Sequence, residues 1–129
     1  MSIVVSPAPP QVVPSVDVSV TADTYDIEIE QGATFAREFT YTQGDGVTPM
    51  NLTGWTARSQ IRKHPGGPLV AEFTAAVTAL TGVVTLSLTA TQTGAIYSGG
   101  VYDLELVNGV QVDRLIRGRV TVTAGVTTP

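Results

Sequence analysis

The stretch that decides the fold is VYDLELVNGVQVDRLIRGRVTVT, residues 101–123. Two runs with strand-like alternation, 101–107 and 110–123, flank an Asn-Gly pair. This pair is the strongest short hairpin signal, because both residues tolerate the positive φ angles that a tight turn requires. The sequence therefore predicts an antiparallel hairpin, and Gly118 inside its second strand suggests a β-bulge.

Strand periodicity also recurs upstream of this hairpin. Val, Ile and Thr make up 44 of the 129 residues, and their branched side chains fit pleated sheet better than helix. Further strands are predicted at 25–30, 34–42, 55–63, 69–74 and 83–89, with a short helical turn at 91–97. About seven short strands without intervening helices predict an all-β fold, an antiparallel β-sandwich that is immunoglobulin-like or related.

The apolar faces of these strands indicate the core. Phe35, Phe39 and Tyr41 share one face of their strand. Arg37 lies on the same face, so we expect it near the edge, stacked on an aromatic ring. Trp55 leads the apolar face of the next strand, which predicts its burial between two sheets. The predicted core residues are Phe35, Phe39, Leu52, Trp55, Ile61, Leu104 and Leu106.

Composition divides the chain into three parts. Residues 1–24 form a Pro/Val-rich arm, residues 25–124 hold the strands of the β-sandwich domain, and residues 125–129 form a C-terminal tail. Proline fixes φ and removes a backbone donor, so the arm is predicted to be extended. Because it lacks a core of its own, we expect a surface to hold it, either that of its own domain or that of a neighbouring chain.

The end of the arm has a strand pattern of its own. Val16, Val18 and Val20 alternate with polar residues, which predicts a strand that adds either to a neighbour's sheet edge or to the domain's own sheet. The apolar arm residues expected to bind a partner are Val4, Val5, Val12, Val13, Val16, Val18 and Val20.

Charge is distributed unevenly along the chain, whose net charge is −4. Residues 1–30 carry five acids and no base, whereas residues 31–129 carry six acids and seven bases. An acidic arm would be repelled by nucleic acid and attracted to a basic protein surface. Simple solubility is the alternative explanation of the same charges.

The chain offers few residues for catalysis or metal binding. It has no cysteine, which excludes disulfides and most zinc sites. His64 is the only histidine, and its Pro/Gly-rich surroundings predict an exposed loop rather than a catalytic centre. No carboxylates have calcium-loop spacing, and no apolar run is long enough to span a membrane. We therefore predict no enzyme, no catalytic, cofactor-binding or metal-ligating residues, and no cofactor.

Charged residues face one another across the predicted hairpin. Asp103 and Glu105 share a face of its first strand, and Arg114, Arg117 and Arg119 lie on the second. These residues form either a polar patch that meets another subunit or ordinary cross-strand pairs.

Several segments from Gln31 onward resemble a known family. They read QGATFAREFTY, NLTGWTARSQIRK, HPGGP, and GGVYDLELVNG followed by RLIRGRVTVT. Together they are similar to small structural proteins of tailed phages and prophages, in particular to the amino-terminal β-sandwich module of phage baseplate upper proteins. The resemblance covers roughly residues 28–123 and implies a virion component without enzymatic activity. Gly54 and Gly100 are expected at turns within it.

The expected function is that of a capsid cement or decoration protein of a bacteriophage. Its partners would be the major capsid protein or other virion subunits, and it would form a homo-oligomer for which a trimer is one option. Neither nucleic acid nor a membrane is an expected partner, and the expected location is the virion, assembled in the bacterial cytoplasm. The alternatives are a tail, collar or baseplate component and a carbohydrate- or receptor-binding module. Exposure of Trp55 or Tyr97 would support the carbohydrate- or receptor-binding module.

Overall fold

The computed structural model describes residues 2–5, 17–19, 23–43 and 47–126, and these form a β-sandwich. The strands of these residues are β1 (Ser2–Val5), β2 (Asp17–Ser19), β3 (Asp23–Thr24), β4 (Ile27–Glu30), β5 (Phe35–Thr42), β6 (Thr56–Arg62), β7 (Leu69–Glu72), β8 (Thr74–Thr78), β9 (Val83–Leu88), β10 (Gly100–Asn108) and β11 (Gln111–Thr123). A 3-10 turn, Ala79–Thr81, precedes β9, and one short helix, α1 (Ala90–Gly94), precedes β10.

The strands are divided between two sheets. One has the order β2-β1-β5-β9-β8 and is antiparallel throughout. The other has the order β3-β11-β10-β6-β7, and β4 continues the edge that β3 begins along β11. Both β3 and β4 run parallel to β11, whereas the remaining pairs of this sheet are antiparallel. The predicted all-β sandwich is confirmed, with this parallel edge as an addition.

The strand predicted at 69–74, directly after the Pro/Gly loop, is divided in the structure between two strands. β7 pairs with β6 in the six-stranded sheet, and β8 pairs with β9 in the five-stranded sheet. Phe73 stands between them and is buried, so the chain changes sheets at this residue. Its ring lies 5.6 Å from that of Phe35 and 6.1 Å from that of Tyr102, which places an aromatic cluster between the sheets.

The core lies between the sheets, and six of the seven predicted core residues are buried in it. They are Phe35, Phe39, Leu52, Ile61, Leu104 and Leu106. The prediction for Trp55 was wrong, because this residue is only half-buried at the rim of the core. Strand β6 begins one residue later, and the backbone amide of Trp55 instead donates to the Leu52 carbonyl in a turn. Gly54 lies in this turn with φ +86°, as predicted.

Arg37 has the predicted position beside an aromatic ring. Its guanidinium carbon lies 4.8 Å from the centroid of the Phe35 ring. Its Nε also donates to the Tyr25 hydroxyl at 3.1 Å. The cation can therefore sit beside the core because its charge contacts an aromatic face and a hydroxyl group.

The hairpin of β10 and β11 is confirmed, with two differences in detail. Asn108 pairs with Gln111, so the turn consists of Gly109 (φ +60°) and Val110, one residue later than predicted. The bulge is at Leu115 and not at Gly118, because the register shifts between the Leu104 and Glu105 pairs. This extra residue allows both Leu115 and Ile116 to be buried although they are adjacent in sequence.

Two glycines serve close backbone packing instead of the predicted roles. A Cβ at Gly118 would overlap the carbonyl oxygen of Tyr25. Likewise, a Cβ at Gly100 would overlap the carbonyl oxygen of Arg62, and Gly100 begins β10 rather than forming a turn. Both positions are therefore restricted by neighbouring backbone.

The described parts of the arm pair with the chain's own strands. Backbone pairing joins β1 to β5 and β2 to β1 in the five-stranded sheet. The strand expected at the end of the arm is therefore part of the domain's own sheet in the structure. It is β2, which is shorter than the alternating segment 16–20. Val4 and Val5 belong to β1 and Val18 to β2. The remaining predicted arm residues lie outside the described part of the chain: Val12, Val13, Val16 and Val20.

Candidate docking surface

Arginines are concentrated on the outward face of the six-stranded sheet. Successive side chains of a strand point to opposite faces, and Ser59 and Ile61 of β6 point into the core. The positions between and beside them therefore face outward. Five of the chain's six arginines share this surface, which we call the arginine face: Arg58 and Arg62 on β6, and Arg114, Arg117 and Arg119 on β11.

An alternating chain of charges crosses one end of the arginine face. β10 lies between β6 and β11 and presents Asp103 and Glu105. Arg58 Nε lies 2.8 Å from Glu105 Oε1. Arg114 bridges both acids, with Nε 3.0 Å from Asp103 Oδ2 and Nη2 3.0 Å from Glu105 Oε2. The predicted hairpin pairs thus involve Arg114, and Arg58 joins them from a third strand.

These contacts shift the ionisation of two members of the network. Desolvation acts to raise the pKa of the Glu105 carboxyl, but the hydrogen bonds and charges of Arg58 and Arg114 outweigh it and the pKa is lowered. The charge of Asp103 acts most strongly to raise the pKa of Arg114. The network therefore favours the fully charged forms at neutral pH.

A groove of about 680 Å³ runs from this network to the other end of the arginine face, and Asp103, Glu105 and Arg114 are among the residues that line it. Arg62 lines it and donates to two neutral acceptors, the Gly67 carbonyl and Gln60 Oε1, both at 2.9 Å. Arg117 and Arg119 line it too, and both are exposed. Their guanidinium groups have no hydrogen bond or ion pair with any other residue that the structure describes. Three arginine charges thus converge on this groove without a carboxylate bound to any of them.

The local charge is opposite in sign to that of the whole chain. The groove is lined by four arginines, Arg62, Arg114, Arg117 and Arg119, and by three acids, Asp26, Asp103 and Glu105, which leaves a local charge of +1. Asp26 uses Oδ1 to accept the backbone amide of Arg119 at 2.9 Å, so this carboxylate is directed toward the main chain. With a net charge of −4 overall, the remainder of the protein is strongly acidic.

Such a surface is suited to binding anionic groups. A guanidinium presents a planar set of donors that pairs with both oxygens of a carboxylate or phosphate. Within 23–43 and 47–126, no three His, Asp or Glu residues are placed so that they could hold a metal ion. His64 is exposed in the loop after β6, as predicted, and its ring packs against Gly67.

The sequence indicated the members of this surface but not their assembly. Both Arg58 and Arg62 alternate with the apolar face of their predicted strand, so their outward direction was readable from the sequence. Their position beside the hairpin arginines depends on the pairing of β6 with β10. The predicted core residues lie behind this sheet and take no part in the surface.

Within the described residues, no helix has the length and apolar character needed to cross a membrane. A comparison of the chain with protein-family models gives no match. Curated proteins likewise include no significant match to it.

Proposed function

We propose that this protein is a structural component of a bacteriophage particle, a capsid cement or decoration protein that acts by binding rather than by catalysis. The observation that carries the docking role is the arginine face, where five of six arginines share one sheet surface of an acidic protein. The resemblance of residues 28–123 to tailed-phage structural proteins supports the phage setting.

Many symmetry-related copies of the binding site would make attachment through such a surface strong. An exposed ion pair contributes only about 0–1 kcal/mol, so one copy bound through the arginine face alone would bind weakly. A shell repeats the same site by symmetry, and many weak contacts together give high avidity. A protein that binds only the assembled lattice stabilises that lattice by mass action. The proposed partners are the major capsid protein or neighbouring virion subunits, with the acidic arm as a second contact.

A tail, collar or baseplate location is the second candidate. The specific feature that favours it is the resemblance to a module of baseplate upper proteins. Copy number per virion separates a baseplate location, which needs few copies, from a shell or tail tube, which needs hundreds.

A carbohydrate- or receptor-binding module has weaker support. Tyr97 is 83 % exposed, which meets one condition for a sugar-stacking aromatic. Trp55 is half-buried and precedes Thr56, which pairs with Val107 near the end of β10. Tyr97 precedes the start of β10, so the two aromatic residues lie toward opposite ends of this strand and do not form one platform.

Genome release on heating tests the cement role. Particles with and without the protein are heated, and released nucleic acid is followed by dye fluorescence. Particles that lack the protein should release their genome at lower temperature, and adding back purified protein should restore the higher temperature. Identical release curves would rule out the cement role and favour the tail location.

A further inference from the structure

We propose that the groove on the arginine face binds an extended acidic segment of another protein subunit, and that Arg117 and Arg119 hold its carboxylates. This inference rests on the proposed docking role and names the chemistry of the partner.

Availability distinguishes these two arginines from the others. Arg58 and Arg114 already bind the carboxylates of Glu105 and Asp103. Arg117 and Arg119 have no such partner among the described residues, and both side chains are exposed at the groove. They can therefore bind carboxylates of a partner without breaking an existing ion pair.

Spacing indicates the shape of the ligand. Arg117 and Arg119 are two residues apart on one strand and face the same side, which separates their Cα atoms by about 7 Å. Acidic side chains at positions i and i+2 of an extended segment have the same separation. Val101 pairs with Arg119 on one side and with Arg62 on the other, so an apolar position lies between Arg119 and Arg62. The groove thus fits an acid-x-acid segment with Arg62 as a third contact.

The side chains that line the groove favour a protein segment over a nucleic acid. The local charge of +1 attracts anionic groups in general, so charge alone does not distinguish carboxylates from phosphates. Single-stranded nucleic acids also need aromatic side chains for base stacking. Tyr102 is the aromatic residue among those that line the groove, and it is only 3 % exposed.

Peptide titration of the isolated full chain tests this proposal. The probe is a short synthetic peptide in which Glu alternates with Thr, and the control peptide has Gln in place of each Glu. Binding is followed by NMR through the backbone amides of β10 and β11 and the Arg Nε–H signals. We expect shifts around Val101, Arg117 and Arg119 with the Glu peptide alone, weakened by added salt.

A pair of variants identifies the residues responsible. Arg117→Gln with Arg119→Gln should weaken the affinity for the Glu peptide by about three- to tenfold, from the loss of two exposed ion pairs. Thr74→Glu with Thr78→Glu makes the same change of net charge on exposed positions of β8, in the other sheet. This control should retain the affinity within about twofold, since distant exposed charges are screened.

Several results would overturn the proposal. These are equal binding of the Gln peptide, unchanged affinity of the arginine variant, or tighter binding of a single-stranded oligonucleotide. Sedimentation that shows a dimer of the full chain, lost in the arginine variant, would make a second copy the occupant instead. All of these measurements use the isolated protein, so they are independent of whether the protein delays genome release from particles.

Discussion

The α-carbon of Gly118 lies against the carbonyl oxygen of Tyr25, and no side chain fits between them. The Tyr25 amide donates to the Arg117 carbonyl at 2.9 Å, and the Tyr102 hydroxyl donates to the Tyr25 carbonyl. The start of the domain is thereby held against β11 at Gly118, between Arg117 and Arg119. Core packing and the candidate docking surface are joined at this contact.

Gly118→Ala should therefore lower the free energy of unfolding. The added methyl would overlap the Tyr25 carbonyl and force the two backbones apart, at a cost of about 1–3 kcal/mol. Urea denaturation followed by circular dichroism measures this change. Gly94→Ala is a matched control, because a Cβ there meets its nearest neighbour at an ordinary 3.9 Å, and alanine favours the helix. Equal stabilities of the two variants would contradict the close-packing role.

Trp55→Ala should cost less than truncation of a fully buried residue. Trp55 is half-buried at the rim, so we expect a loss of about 1–3 kcal/mol. Leu104→Ala creates a cavity in the centre of the core and should cost about 2–5 kcal/mol. Because Trp55 is the only tryptophan, its emission should indicate an environment between water and a dry core. A larger loss for Trp55→Ala than for Leu104→Ala would contradict the observed burial.

Glu105→Gln should destabilise the protein at neutral pH but not in acid. Since the folded-state pKa of Glu105 is lowered, its ionised form contributes stability above the unfolded-state pKa of about 4.3. That contribution is lost as the pH falls through the lower folded-state pKa. Solvent screens these ion pairs, because the Arg58 and Arg114 side chains are 58 % and 48 % exposed, so we expect only about 1 kcal/mol at pH 7. Urea denaturation across this pH range measures the difference between the two proteins, which should approach zero at the acid end. A constant difference would exclude the ion-pair explanation.

Deletion of residues 1–22 should leave a folded domain. Among the residues whose burial the structure describes, the buried core residues lie between Ile27 and Val120, so the truncated chain retains them. The deletion removes β1 and exposes the backbone edge of β5, which favours association between copies. Circular dichroism should still detect a cooperative transition, and size-exclusion chromatography should detect larger species.

If the proposed arm contact with the shell is correct, the truncated protein also fails to enter particles. Loss of the cooperative transition would mean that the arm is needed for folding, and unchanged incorporation would remove its proposed docking role.

Local pattern determined the strands and most of the core. Alternation along β5 identified the buried face of Phe35 and Phe39 and the position of Arg37 beside an aromatic ring. The Asn-Gly pair indicated the last hairpin, because its turn depends on adjacent residues. Such features depend on side chains a few residues apart, which a single sequence displays directly.

Tertiary structure alone decided the register and the neighbours. The bulge at Leu115, the close approach at Gly118 and the change of sheets at Phe73 all depend on strands that are distant along the chain. The same holds for the arginine face, where Arg58 meets Glu105 from 47 residues away. A strand's alternation specifies which side chains face outward. Backbone pairing and the packing of one sheet on the other specify which outward side chains become neighbours.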